Sequence, residues 1–244
     1  RVVESDVRAI AEGSASSKPS LSPGLPRPIS ETPLEGMRKT IAGHMKNSLA
    51  NTAQLSYFLD VDVTEAQNIR REQGLGMAEV LIKATTEALI RVPALNSVLV
   101  NDVIMKFDRV NIAFAVALDD GLVVPVIRET NSKNIREIAG EVKTLADAAK
   151  NGILGPDDFM GGTFTISILG SVDGFTPILN QSQVGLLGVG RSIQKPIVKD
   201  GQVVIREMMT LSLTGDHQVV DGAVAASFFR RLQRLIESPS KLFA

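Results

Sequence analysis

Met209-Thr210-Leu211-Ser212-Leu213-Thr214-Gly215-Asp216-His217-Gln218-Val219-Val220-Asp221-Gly222 is the stretch on which the fold turns. Its first six residues form a strand-like run, and Ala223 to Ile236 after it form a helix-like run. The junction between them holds one of only two histidines in 244 residues. A titratable imidazole at a strand-to-helix junction, with a carboxylate on each side, is a candidate general base. Asp221 is placed to fix its orientation, and Gly222 allows a tight turn and close approach of another group. The same spacing also fits an ordinary capped helix start, with Asp221 as N-cap and His217 a satisfied loop histidine.

Upstream of this junction, Ile197-Val198 and Val203-Val204-Ile205 flank Lys199-Asp200-Gly201 and predict a hairpin. Val184 to Val189 predicts a separate strand. Asn111 to Leu118 and Leu122 to Ile127 are rich in β-branched residues and are joined by Asp119-Asp120-Gly121, a second hairpin. Ser97 to Phe107 predicts one or two short strands about Asn101-Asp102, and Gln54 to Val63 another strand. Helices are expected over Met37–Leu49, from a capping box at Thr64-Glu65-Ala66-Gln67, over Met77–Val92 and over Asn134–Lys150. The first of these places Met37, Ile41, Met45 and Leu49 on one face. Strands and helices come in similar numbers without regular alternation. The expected class is therefore α/β or α+β, a mixed β-sheet flanked by helices in two layers, and not a doubly wound sheet.

The N-terminal part differs in composition. Residues 1–11 resemble the end of another element, residues 12–30 are rich in Ser, Pro and Gly and read as a flexible linker, and residues 31–244 read as the main domain. Hydrophobic residues make up 44% of the chain, enough for a sizeable core. With 26 basic and 27 acidic residues the charge gives no reason to expect nucleic acid or an anionic membrane as partner. Absence of cysteine removes disulfides, thiolate metal sites and a cysteine nucleophile, and no His/Asp/Glu cluster has metal-ligand spacing, so no metal is expected. No apolar run reaches transmembrane length.

A second candidate site is Gly161-Gly162-Thr163-Phe164-Thr165-Ile166-Ser167-Ile168-Leu169-Gly170. On a strand Thr163, Thr165 and Ser167 share one face. A hydroxyl there is able to donate to a developing oxyanion. For Thr163 and Thr165 the ordinary expectation is a polar face meeting water. Arg38 in the first helix is a third candidate, with surface solvation as its plainer role, and His44 reads as structural. Gly188-Val189-Gly190 is not a nucleotide loop, because no helix-like segment follows it in the right place.

Taken together, these segments resemble the dihydrolipoamide acyltransferase component of 2-oxo acid dehydrogenase complexes. The resemblance is carried by Arg38-Lys39-Thr40-Ile41-Ala42 with Ser48, by Gly121-Leu122-Val123-Val124-Pro125-Val126-Ile127, by Gly162 to Ser167 with Phe175-Thr176-Pro177-Ile178, and by the His-x-x-x-Asp-Gly pattern of His217 to Gly222. Residues 1–11 resemble the last helix of the family's peripheral-subunit-binding domain. The resemblance implies a chloramphenicol acetyltransferase-like fold and a homotrimer with its active site between subunits, assembling into cubic or icosahedral cores of 24 or 60 subunits. It implies transfer of an acyl group between dihydrolipoamide and coenzyme A, with His217 as base for the thiol, Ser167 as oxyanion donor, and Asp221 ion-paired with Arg38. Thr165 and Gly222 are implied as supporting residues. Implied too are lipoate on a lipoyl domain outside these residues, coenzyme A as substrate, and 2-oxo acid decarboxylase and dihydrolipoamide dehydrogenase as partners. The implied location is the cytoplasm or the mitochondrial matrix. The chain departs from the family pattern at Gln218, where the family has arginine, at Leu55-Ser56-Tyr57-Phe58, and in a shorter loop at Gly170–Gly174. Acetyl is the expected acyl group, with branched-chain or acetoin-type transfer next. A catalytically weakened scaffold core and an antibiotic acetyltransferase are the readings from other classes.

Overall fold

The computed structural model describes residues 22–118 and 121–243. The expectation for residues 1–11, most of the linker and the Asp119-Asp120 turn lie outside the described residues. The chain divides into two compact units, Arg1–Lys39 and Thr40–Ala244. In the first, the described part has little regular structure before the helix that begins at Gly36.

The second unit is built on a six-stranded mixed sheet. Its strands are β1 (Gln54–Asp62), β4 (Ile112–Phe114), β7 (Val126–Ile127), β8 (Phe164–Ile168), β9 (Gly185–Lys199) and β10 (Gln202–Asp216), in the order β1-β10-β9-β8-β4-β7. β1, β10 and β9 are antiparallel; β9, β8 and β4 run parallel; β7 returns antiparallel to β4. Two small hairpins stand apart: β2 (Ser97–Val100) with β3 (Val103–Lys106), and β5 (Val116–Leu118) with β6 (Gly121–Val123). The helices are α1 (Gly36–Asn51), α2 (Thr64–Glu72), α3 (Met77–Arg91), α4 (Ile135–Lys150) and α5 (Gly222–Glu237). The mixed sheet with flanking helices expected from the sequence is the architecture observed.

Alternation along β8 decides which face is core. Phe164 and Ile166 are buried, and the Phe164 ring lies 5.9 Å from Phe228 of α5. α5 also packs against α3 and β1. Burying a side chain of this size stabilises the fold by roughly 1.5–3 kcal/mol. Thr165 and Ser167 point to the opposite face, where the chain from Phe175 to Gln183 crosses. Two glycines of β9 make that crossing possible. A Cβ at Gly188 would lie 3.1 Å from the Pro177 ring of that segment, and one at Gly190 would collide with Asp173 O just before it. The Gly-x-Gly of the sequence is therefore a close-approach device between chain segments.

Three details differ from the sequence expectations. The segments 184–189 and 197–198 are one continuous strand, and 203–205 and 208–214 another, each 15 residues long. Pro196 does not break β9, because β8 stops pairing with β9 at Ile168↔Val189. Beyond that point β9 is an edge strand, where a missing N–H costs no ladder bond. Thr64 does not cap α2: it is the first helical residue, and its hydroxyl donates to Asp62 Oδ1 at 2.6 Å instead. The predicted strands at 111–118 and 122–127 are each interrupted, at Ala115 and at Val124-Pro125. The base of that long hairpin joins the main sheet and its tip forms the β5–β6 ribbon.

Candidate active site

β10 delivers the His217 turn, and one buried carboxylate holds it. Asp216 is 1% exposed. Its Oδ1 accepts from Ala53 N and Gln218 N, each at 3.1 Å, and the Gln218 side-chain amide donates to both carboxylate oxygens at 3.1 Å. The same amide reaches Asn51 O at 3.2 Å. Main-chain bonds complete the turn: His217 N to Ala53 O at 2.8 Å, and Val219 N and Val220 N to Asp216 O. The turn is thus fastened to the link between α1 and β1. Every donor on Asp216 is neutral, and Gln218 supplies through an amide what a guanidinium would supply through charge.

His217 itself is exposed, and its imidazole meets no hydrogen-bonding partner among the described residues. Asp221 is the N-cap of α5, accepting from Val224 N at 2.9 Å. The capped-helix reading is therefore correct for Asp221, and it leaves His217 free for chemistry. Gly222 opens the helix with nothing of this chain within 4 Å of where a Cβ would stand. No crowding within the chain requires a glycine there.

Ser167 sits elsewhere, half-buried on β8, at the wall of a cavity of about 380 Å³. Apolar side chains dominate the lining, among them Ile41, Met45, Leu122, Val124, Phe175 and Pro177. Thr165 and Thr163 do not face water. Thr165 is 2% exposed, donates to Gln183 Oε1 at 2.6 Å and accepts from Asn180 Nδ2 at 2.8 Å. Thr163 donates to Asn96 Oδ1 at 2.6 Å. The Thr165 bonds anchor the segment that roofs the cavity, and Gln54 adds another by accepting from Leu179 N at 3.1 Å. The half-buried Ser167 hydroxyl has no hydrogen-bond partner among the described residues.

The structure brings His217, Asp221 and Gly222 into one turn, and Ser167 and Thr165 onto one strand, but it does not bring the two sets together. Ser167 pairs with Gly188, and Gly188 with Ser212. His217 is five residues beyond Ser212 along β10. That is about 17 Å along the strand and about 10 Å across two strand spacings. A base and an oxyanion donor acting on one substrate must both lie within about 3 Å of it. Within one copy of the chain they do not. Arg38 is exposed and belongs to the first unit, so its pairing with Asp221 remains an expectation.

Two features escape sequence reasoning. Asp216 reads from the sequence only as a flanking carboxylate, and the signal for its anchoring role is a carboxylate two residues before the N–H it accepts from, the pattern of an Asx-turn. His44, exposed on α1, borders the Ser167 cavity. A second cleft, about 410 Å³, flanks the His217 turn and is rich in amides, including Asn47, Asn51, Asn101, Gln181, Gln183 and Gln218. Among the described residues no group of three metal-ligating side chains exists and no helix is long and apolar enough to cross a membrane.

Comparison with known proteins adds the lineage. The model of the family described as 2-oxoacid dehydrogenases acyltransferase (catalytic domain) matches residues 26–244. The chain is 36% identical, over 99% of its length and 63% of the other's, to the dihydrolipoyllysine-residue acetyltransferase component of the acetoin cleaving system of Bacillus subtilis. It is 32% identical, over 99% of its length and 64% of the other's, to a dihydrolipoyllysine-residue succinyltransferase component of a 2-oxoglutarate dehydrogenase complex from Rickettsia conorii. The chain thus spans somewhat under two thirds of these relatives. Two solved structures superpose with a TM-score of 0.86 over 94% of this chain and all of theirs. One, 34% identical, is the Azotobacter vinelandii dihydrolipoamide acetyltransferase, studied for the role of a serine, a histidine and an asparagine in its catalytic mechanism. The other, 33% identical, is the cubic core of a pyruvate dehydrogenase multienzyme complex. A chloramphenicol acetyltransferase, 16% identical with a TM-score of 0.54 over 80% of this chain and 94% of the other, shares the fold. The chain belongs to the 2-oxoacid dehydrogenase acyltransferase family.

Proposed function

We propose that this chain transfers an acyl group between dihydrolipoamide and coenzyme A, as the catalytic domain of the core of a 2-oxo acid dehydrogenase complex. One observation carries the reading. Two unpartnered side chains suited to acyl transfer, His217 and Ser167, are each held by dedicated networks, yet they stand too far apart to act in one copy. A second copy that sets its His217 turn over the Ser167 cavity supplies both groups to one substrate. This favours the homotrimer, and the match to a cubic core favours assembly of trimers into a larger particle.

In that arrangement His217 accepts the proton of the attacking thiol, and Ser167 donates a hydrogen bond to the oxyanion that develops on the thioester carbonyl. The thiol attacks directly, so no nucleophilic side chain is required, in keeping with the absence of cysteine. Asp221 holds the helix start against which the His217 turn is set. Thr165 holds Asn180 and with it the cavity roof. The serine and the histidine of this proposal are the residue types studied in the Azotobacter relative. Lipoyl chemistry fits the residues present: a hydrocarbon arm ending in sulfur suits a cavity with apolar walls and a few polar groups. When bound, the dihydrolipoyl group supplies the thiol that carries the acyl unit. Decarboxylase and dihydrolipoamide dehydrogenase partners, and a cytoplasmic or mitochondrial-matrix setting, belong to the same proposal.

Acetyl is the acyl group we favour, with branched-chain acyl groups next. Among the described residues no lysine or arginine lines the Ser167 cavity, so no permanently cationic side chain there meets the carboxylate of a succinyl group. Steady-state rates with acetyl-, isobutyryl- and succinyl-coenzyme A test this. Acetyl transfer should exceed succinyl transfer by at least tenfold, and a preference for succinyl would overturn the assignment. The scaffold reading rests on Gln218 and the short Gly170–Gly174 loop. Gln218 keeps Asp216 fully bonded, and Arg191 pins the loop through Asp173 at 2.5 Å and through its N–H to Val172 O. Neither feature loosens the site.

A further inference from the structure

Helix α1 presents Ile41, His44, Met45 and Ser48 along one stripe, with the spacing of three and four that defines a helix face. Ser48 is buried and donates to Leu179 O at 2.6 Å, which fixes the stripe against the cavity roof. Ile41, His44 and Met45 line the cavity that holds Ser167. His44 is itself exposed on α1, and its imidazole borders the cavity without a hydrogen-bond partner among the described residues.

The cavity lining contains four polar side chains: His44, Thr165, Ser167 and Asn180. Thr165 and Asn180 are bonded to each other, and Thr165 also to Gln183. Ser167 and His44 have no hydrogen-bond partner among the described residues. Ser167 is assigned to the oxyanion, so His44 is the polar group left over. The substrate proposed for this cavity likewise has one polar group left over. A dihydrolipoyl arm carries two thiols, of which one reacts and the other is drawn in with it. A thiol is a weak donor and a weak acceptor, and moving it from water to an apolar cavity is unfavourable unless it meets a partner.

We infer that His44 is the binding group for the second, non-reacting thiol of the dihydrolipoyl substrate. The inference rests on the transfer reaction proposed above. The imidazole exchanges a hydrogen bond with that sulfur, and no covalent bond forms or breaks. His217 of one copy and His44 of another thus divide the two sulfurs between them, the first serving the reacting thiol and the second its neighbour.

The test compares dihydrolipoamide with 8-sulfanyloctanamide, which lacks the second thiol. Calorimetry measures binding of each to the full chain, and acetyl-coenzyme A supplies the acyl group in parallel rate measurements. In His44→Ala, dihydrolipoamide should bind about fivefold to tenfold more weakly, the loss of one hydrogen bond. Its KM should rise by the same factor, with the KM for acetyl-coenzyme A unmoved. Binding of the monothiol should be the same in variant and parent. His44→Gln, which keeps a hydrogen-bonding group, should recover part of the loss. Equal weakening of both thiols would mean a structural role and overturn the inference, as would no weakening of either. If binding depends on His44 as stated while the parent chain transfers no acetyl group, the inference stands and the proposed reaction falls. If the parent binds neither thiol, both fall.

Discussion

Ser167 and His217 are held by opposite means. Ser167 is placed by sheet register, in the interior of a six-stranded sheet, with its neighbour Thr165 tied into a chain of hydroxyls and amides. His217 is placed on an exposed turn past the end of a strand, where one buried carboxylate gathers the surrounding N–H groups. The first region resists movement because strands on both sides would have to move with it. The second resists movement chiefly through Asp216, with the His217 N–H on Ala53 O and the Gln218 amide on Asn51 O beside it. The oxyanion side of the proposed site is therefore part of the fold, and the base side is an attachment to it. Such a division suits a site closed by a second copy, since the exposed half is the one that must reach across.

The sharpest way to break this picture is to separate the halves genetically. His217→Ala should lower acyl transfer by roughly 10²–10⁴-fold, and Ser167→Ala by roughly 10²–10³-fold, with no change in melting temperature for either. Mixing the two variants under conditions that allow subunit exchange should restore about a quarter of parental activity. In random trimers one interface in four pairs an intact serine with an intact histidine. Absence of any recovery would show that both groups act within one copy and would sink the shared-site reading.

A smaller effect probes the attachment of the base. Asp216→Ala removes the acceptor of the Ala53 and Gln218 N–H groups and of the Gln218 amide, which should cost about 1–3 kcal/mol in all. The measurement is denaturant unfolding alongside the rate of transfer, and both should fall. Thr165→Val, which disturbs the other region, should lower stability with a weaker effect on rate. Equal rate losses in the two variants would erase the contrast between a site built into the sheet and one attached to it.

The smallest expected effect lies at the far end of β1, away from both regions, and serves as a control. Burial pushes the Asp62 carboxyl up, but the Thr64 hydroxyl, the Arg206 guanidinium at 2.6 Å and the Thr64 N–H outweigh it and hold the group below its ordinary value of 3.8. A carboxyl lowered in the folded state contributes stability that is present above its unfolded value and disappears as the pH falls through its folded value. Asp62→Asn should therefore be less stable than the parent at neutral pH, by at most about 1 kcal/mol, and the gap should close below about pH 4. A gap that persists in acid would mean that the charge is not what Arg206 and Thr64 recognise.

Much of this was legible in the sequence because it depends on local pattern. The alternation of Phe164, Ile166 against Thr165, Ser167 gave the two faces of β8, and Lys199-Asp200-Gly201 gave the hairpin, with Asp200 and Gly201 both at positive φ. What was not legible depends on partners distant in sequence. Thr163 and Thr165 look solvent-facing until the crossing segment from Phe175 to Gln183 is in place. Pro196 looks like a strand break until it is known that β8 has ended beside it. In α1, a stripe through Met37, Ile41, Met45 and Leu49 fits the spacing as well as the true one. The structure exposes Met37, Ile41 and Leu49, buries Ser48, and sets Ile41, His44 and Met45 beside the Ser167 cavity. Periodicity cannot choose between two stripes that share Ile41 and Met45. The offset of His217 from Ser167, about 17 Å along the strand, is likewise a matter of register, which no run of residues in isolation specifies.

The clasp between Ala53 and the Asp216-His217 pair also bears on how the chain folds. β9 and β10 are joined by a two-residue turn and can pair as soon as both have been synthesised, at little cost in loop closure. β1 must wait, because its partner β10 is separated from it by most of the domain: Gln54 pairs with Asp216. The sheet edge that fastens the base is thus among the contacts of highest sequence separation in the molecule, and contacts of that kind slow folding. On a ribosome the N-terminal third of the domain emerges with its edge strand unpaired and stays so until the last residues of β10 are made. The base can be set in place only after that final pairing, so a competent His217 turn reports that synthesis has passed the end of β10.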